Sequence, residues 1–245
     1  MPNFGGYVLV FGLKSFLLTP CVPMRPDIDA IALALQDSAD PARRASMAAY
    51  MRDQFEFLGV GTPARRAATR ALFQGMKTDS ADELIATAQA LWHYPEREYQ
   101  YAAIDLLAMH SNKLDVGHLP CLMKLVQSRS WWDTVDAIAS VIGKVLRYRH
   151  DGMDDAIGDE NMWVRRVALL HQLGWRDKTD AALLFSYSLQ RAHEKEFFIQ
   201  KAIGWALRDY ARHNPQAVRE FTLAEKARLS PLSYREANKH FAPDI

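Results

Sequence analysis

The chain has 245 residues, 49% of them hydrophobic, with 30 Lys and Arg against 29 Asp and Glu for a net charge of +1. That is enough apolar material for one large core or a continuous repeat array, and it excludes a global field directed at nucleic acid, so any basic surface has to be local. Two cysteines, Cys21 and Cys121, supply neither a disulfide framework nor paired metal-ligand spacing, which suits a reducing cytoplasm.

The first segment, residues 7–18, is apolar but interrupted by Lys14, lacks a positive leader region and is too short to span a bilayer. Pro20, Pro23 and Pro26 separate it from the helical body, so residues 1–26 read as a poorly integrated extension, with Met24 a possible natural start. Residues 27–245 read as one domain. Asp27 to Leu35 carries apolar residues at helical spacing, and Asp40-Pro41 opens a second helix with proline at its first position. Gly59, Gly61 and Pro63 then mark a loop, and Thr62-Pro63 restarts a helix.

Helical patterns continue over 81–92, 95–110, 120–128, 130–148, 162–173, 178–190, 197–213 and 215–223. No alternating β-branched run competes with them, so the expected class is all-α. Cys121 falls in the apolar run Leu119 to Met123 and reads as a buried thiol. The eight histidines are scattered, form no metal cluster, and read mostly as helix-end or surface residues.

Ser130-Trp131-Trp132-Asp133-Thr134-Val135-Asp136 is the most informative stretch. Ser130 with Asp133 three positions on reads as an N-cap with an acidic N3 residue, starting the helix here. Trp132 and Asp136 are four apart, so an indole and a carboxylate share one stripe, a plausible receptor for a cationic group. The competing reading makes Trp132 core and Asp136 a solvated residue. Trp92, Trp132, Trp163 and Trp205 recur at intervals of roughly 30 to 40 residues, near the period of HEAT-type helix pairs, and Val164-Arg165-Arg166 resembles the start of a HEAT second helix. A generic bundle is the alternative. Arg165 and Arg166 would, on structural grounds alone, be one solvated residue and one ion pair between repeats. Gly204 before Trp205 lowers helix propensity and points to a close approach there.

Four motifs in order, residues 50–63, 130–136, 161–166 and 197–205, resemble the DNA alkylation repair family, the AlkD-like DNA glycosylases, and the similarity extends from about residue 27 to 237. The resemblance implies a HEAT-like solenoid with a concave DNA-binding face that removes cationic N3- and N7-alkylated purines from duplex DNA. It implies no tight base-flipping pocket, no cofactor and a monomeric state. On it, Asp136 matches the catalytic aspartate, Trp132 and Trp205 the indoles facing the damaged nucleotide's backbone, and Arg166 an arginine contacting DNA near the lesion. Tyr50 and Arg208 match further DNA-facing positions. Gly174 departs from the pattern, which carries a basic residue there. A DNA-binding repeat protein without catalysis and a protein-interaction scaffold remain as other classes; Asp136, Trp132, Trp205 and Arg166 together favour the enzyme, and the near-neutral charge favours the scaffold.

Overall fold

The computed structural model describes residues 26–241, so the N-terminal extension, Cys21 and the apolar segment over 7–18 lie outside the described residues. It is an all-α helical-repeat solenoid. Its helices are α1 (Pro26–Asp37), α2 (Pro41–Tyr50), α3 (Thr62–Gly75), α4 (Ala81–Trp92), α5 (Arg97–Met109), α6 (Leu119–Val126) and α7 (Trp132–Leu146). Next come α8 (Met153–Gly158), α9 (Met162–Leu170), α10 (Ala181–Gln190), α11 (Phe197–Ala211), α12 (Pro215–Ala224) and α13 (Pro231–Ala237). Two of these, α8 and α13, are absent from the helices read off the periodicity, because six or seven residues are too few to display a repeat.

The odd-numbered helices touch in succession, α1 to α3 and so on to α13, while α4, α6, α8, α10 and α12 form a second row packed against them. Local chemistry sets the joints. Ser80 and Glu83 form a capping box that starts α4, and Asn161, Asp180, Asn214 and Ser230 each accept a backbone N–H at the start of α9, α10, α12 and α13. The central helix α7 buries Val135, Ile138, Ala139, Ile142, Val145 and Leu146 along one side. Each Val, Ile or Leu among them contributes about 1.5 to 3 kcal/mol on burial. Its other stripe, Trp132, Asp136, Ser140 and Lys144, is half-buried at the first two positions and exposed at the last two.

One helix differs from the rest: α2 buries no side chain at all. The loop after it is held from below instead. Glu98, fully buried on α5, accepts backbone N–H bonds from Leu58 (2.9 Å), Gly59 (2.9 Å) and Val60 (3.0 Å). Gly59 has φ +91°, and a Cβ there would stand 1.9 Å from the Asp40 carbonyl oxygen, so only glycine fits. The loop ends Tyr50's helix beside α7 rather than letting it drift.

Charged pairs span the odd row. Arg65 on α3 meets Asp105 on α5 at 2.9 Å, Arg97 on α5 meets Asp133 on α7 at 2.7 Å, and Asp136 on α7 meets Arg166 on α9 at 2.7 Å. Lys201 and Arg208 on α11 meet Glu236 on α13 at 2.9 and 2.6 Å. Breaking one partner of a buried pair costs about 3 to 5 kcal/mol, because an uncompensated charge stays behind. These pairs therefore fix the relative register of neighbouring helices.

Two sequence expectations need correction. Ser130 is not the N-cap of α7: the helix begins at Trp132 after Trp131, and the Ser130 hydroxyl donates back to the Val126 carbonyl at 2.6 Å. Asp133 instead accepts from two of the three Arg97 guanidinium nitrogens, Nε and Nη2, and from the Tyr101 hydroxyl, the last at 2.6 Å. Cys121 is only half-buried: it packs against the margin of the core, which Leu122, Leu125 and Val126 of α6 enter fully. Both buried histidines keep the helix-end places expected of them, His110 after α5 and His171 after α9, and His171 joins a cluster of its own. Its Nδ1 donates to the Ala168 carbonyl (2.7 Å), which leaves Nε2 to accept from His150 Nδ1 at 2.9 Å.

Candidate nucleic-acid interface

The residues singled out from the sequence form one connected group. Arg166 is 1% exposed and donates to both Asp136 oxygens, Nε to Oδ1 at 2.7 Å and Nη2 to Oδ2 at 2.8 Å. Its remaining terminal nitrogen donates to the Phe198 carbonyl at the start of α11. The guanidinium carbon lies 5.3 Å from the Trp205 ring centroid. Two sides of Asp136 are thus settled: α7 carries it, and α9 orients it. Burial pushes the Asp136 carboxyl above the ordinary aspartate range, with the Arg166 hydrogen bonds and charge pulling the other way. The side chain remains 20% exposed, and two of its roughly four lone-pair positions are left for a visitor.

Trp132 stands one turn before Asp136, and the Tyr50 ring meets it edge-on at 5.9 Å between centroids. Tyr50 is 70% exposed, so this pair forms an aromatic wall open to solvent. Trp205 is in a different state. Besides Arg166, Lys201 Nζ lies 5.2 Å from its centroid, so two cations already occupy its neighbourhood. The ring partner of Trp132 is a tyrosine edge rather than a cation. Arg208 is tied to Glu236 through its Nη1 and keeps partial exposure.

Arg166 is buried and forms the ion pair between helices that the Arg165-Arg166 dipeptide also allowed. Arg165 is paired as well, to Glu194 at 2.7 Å. Gly174 has φ +80°, a left-handed conformation that suits glycine, and its N–H donates to Asp209 Oδ2 at 2.8 Å. It lines a cavity of about 500 Å³ together with Lys144 and Arg147, so basic side chains stand near it from α7.

Sequence reasoning missed Glu236, Lys201 and the Arg97–Asp133–Tyr101 set under Trp132. The signal for Glu236 was present: Ser230-Pro231 is a capped helix start with proline at its first position, five residues before it. Two further cavities, of about 860 and 510 Å³, open along α3, α5 and α7 and are lined by Arg66, Arg70, Lys77 and Lys144 among others. Neither is lined by Asp136. Among the described residues no helix is long and apolar enough to cross a membrane, and no group of His, Cys, Asp or Glu is arranged to hold a metal ion.

The profile of the DNA alkylation repair enzyme family matches residues 31–241, from within α1 to just past α13. The chain belongs to that family. A solved structure described as a predicted DNA alkylation repair enzyme from Enterococcus faecalis is 36% identical. The match has a TM-score of 0.78 and covers 84% of this chain and 98% of that one. No curated protein matches. The family match takes in both halves of the ion-paired site, Asp136 on α7 and Arg166 on α9, and stops at Phe241.

Proposed function

We propose that this member of the DNA alkylation repair family is a monofunctional DNA N-glycosylase acting on cationic N3- and N7-alkylated purines in duplex DNA, with Asp136 as its catalytic group. The observation that carries the reading is a partly exposed carboxylate fixed in orientation by a buried bidentate arginine, one helical turn from an indole in an open aromatic wall. The chemistry fits that arrangement. An alkylated purine already bears a positive charge, so when the glycosidic bond breaks its electron pair neutralises the base, which leaves without a general acid. The sugar is left as an oxocarbenium ion. Asp136 stabilises that cation and orients water for attack at C1′, and the released proton passes to the carboxylate or to solvent. Trp132 adds a cation–π attraction worth about 0.5 to 2 kcal/mol. The products are free base and an abasic site.

Tyr50, Trp132, Trp205 and Arg208 are the residues we assign to the DNA side, and Arg166 to holding Asp136. The basic side chains along α3 and α7 supply the local positive surface that the net charge does not. Release of 7-methylguanine from methylated duplex, measured by chromatography, tests this directly. Asp136→Asn keeps shape and loses charge, so excision is expected to fall by about 10²- to 10⁴-fold with duplex affinity retained. Wild-type rates in that variant would remove Asp136 from the chemistry. A wild type that binds duplex and releases no base would make the protein a non-catalytic DNA-binding member.

A further inference from the structure

Glu236 lies on the last helix, 31 residues from Trp205 in sequence, yet it is the residue most closely engaged with that indole. Its Oε2 accepts from Trp205 Nε1 at 3.1 Å and from Arg208 Nη1 at 2.6 Å, and its Oε1 accepts from Lys201 Nζ at 2.9 Å. Three donors from three successive turns of α11 converge on one carboxylate. Burial opposes the charge on Glu236, but the hydrogen bonds and charges of Lys201 and Arg208 outweigh it and hold the carboxyl at about 2, so it is ionised throughout the working range. The backbone has been shaped for this contact. A Cβ at Gly204 would lie 2.4 Å from the Glu236 Cβ and 3.0 Å from the Ser233 carbonyl oxygen, so glycine in mid-helix is what lets α13 reach the indole. That answers the close approach expected at Gly204.

We propose that Glu236 is a positioning residue: its carboxylate fixes the Trp205 indole against the Arg166–Asp136 pair. The proposal rests on the reading of Trp205 as part of the site. The Glu236 pairs contribute to the register of α13, but α13 has further anchors that do not involve this side chain: Ser233 and Ala237 are buried, and the Ser233 hydroxyl donates to the Gln200 carbonyl at 2.9 Å. Removing the carboxylate therefore frees the indole without detaching the helix. Arg166 and Lys201 remain near the ring but constrain its rotation only through non-directional contact.

The full chain labelled with 5-fluorotryptophan provides a readout apart from activity. The Trp205 fluorine line is assigned by its absence in Trp205→Phe. In Glu236→Ala that line is expected to shift or broaden while those of the other tryptophans stay in place. Single-turnover excision from methylated duplex should fall by on the order of ten- to a hundred-fold, the loss expected from a misplaced site group. Glu236→Gln keeps an oxygen acceptor for the indole N–H and should restore the line and most of the rate. Adding Glu236→Ala to Trp205→Phe should cost nothing further, because the two act as one unit. An unmoved Trp205 line in Glu236→Ala overturns the proposal, as do losses that simply add in the double variant. If the wild type itself releases no base, the glycosylase reading fails, and the fluorine line alone then decides whether Glu236 positions the indole.

Discussion

Asp136 is asked to be ionised in a place that resists ionisation. Because burial raises its carboxyl above the ordinary value of 3.8, the folded chain holds the proton more tightly than the unfolded chain does. Across the window between those two values stability declines as pH rises, while the ability to stabilise a sugar cation increases. The excision rate should accordingly rise with pH through an ionisation above 3.8, and Asp136→Asn should lose that limb of the profile; a rate independent of pH down to 3.8 would show that the carboxyl is not raised. Arg166 makes the opposite demand. It keeps the carboxylate charged and aimed, so Arg166→Ala leaves a half-buried anion alone and should lower stability by about 3 to 5 kcal/mol in denaturant titration. Excision should fall with it. The slope of DNA affinity against salt should stay unchanged, since a guanidinium that meets no phosphate releases no counterion; a slope reduced by about one would return Arg166 to the DNA.

At the scale of helices and their joints, much was legible because amphipathic periodicity is long-range and redundant. Helix α7 showed its two stripes plainly, and the indole–carboxylate spacing of Trp132 and Asp136 survives a start two residues later than Ser130 suggested. What hid were partners distant in sequence. Nothing near Asp133 announces that Arg97 will take it from its capping role, and Gly204 announces a close approach beside Trp205 without saying that Glu236 makes it. The cluster of His150, His171 and Trp175 is another case, visible only once α9 is folded back on α7. A Cβ at Gly143 would stand 2.2 Å from the His171 carbonyl oxygen, so this joint is tightly closed. Burial and the neighbouring His150 lower His171 to about 4, against the pull of the Ala168 carbonyl. The fold thus prefers the neutral ring. Its contribution is complete above the ordinary value of 6.5 and is lost as pH falls toward 4, amounting to roughly 3 kcal/mol. Denaturant midpoints between about pH 8 and 4, with proton NMR of the imidazole, check this; a His171 resonance titrating near 6.5 in the native state would contradict it.

For the molecule as a whole, the row of odd helices turns separate sequence motifs into one surface: Tyr50 reaches Trp132, α7 links Trp132 to Asp136, Arg166 links Asp136 to Trp205, and Glu236 ends the series. The class and the family were readable because they depend on repeated patterns, whereas the inward turn of Arg166 depends on how α9 sits against α7. Helix α2 stands outside this logic. With no fully buried side chain and ten residues, it is held by its Asp40 cap, the Arg44 bond to Leu58, the ring contact of Tyr50 with Trp132 and the half-buried Met47 and Ala48 rather than by a packed core face. Isolated helices of that length are marginal in water. Its amides should therefore exchange with deuterium through local opening, far faster than those of α7, in the free protein. Whatever seats against Tyr50 has to close this helix first, so duplex DNA should slow exchange over residues 41–50. Part of the intrinsic affinity is then spent on ordering, and a helix-stabilising substitution on the exposed side of α2 would tighten binding without touching the ligand. Equal exchange rates for α2 and α7 in the free chain would refute that coupling.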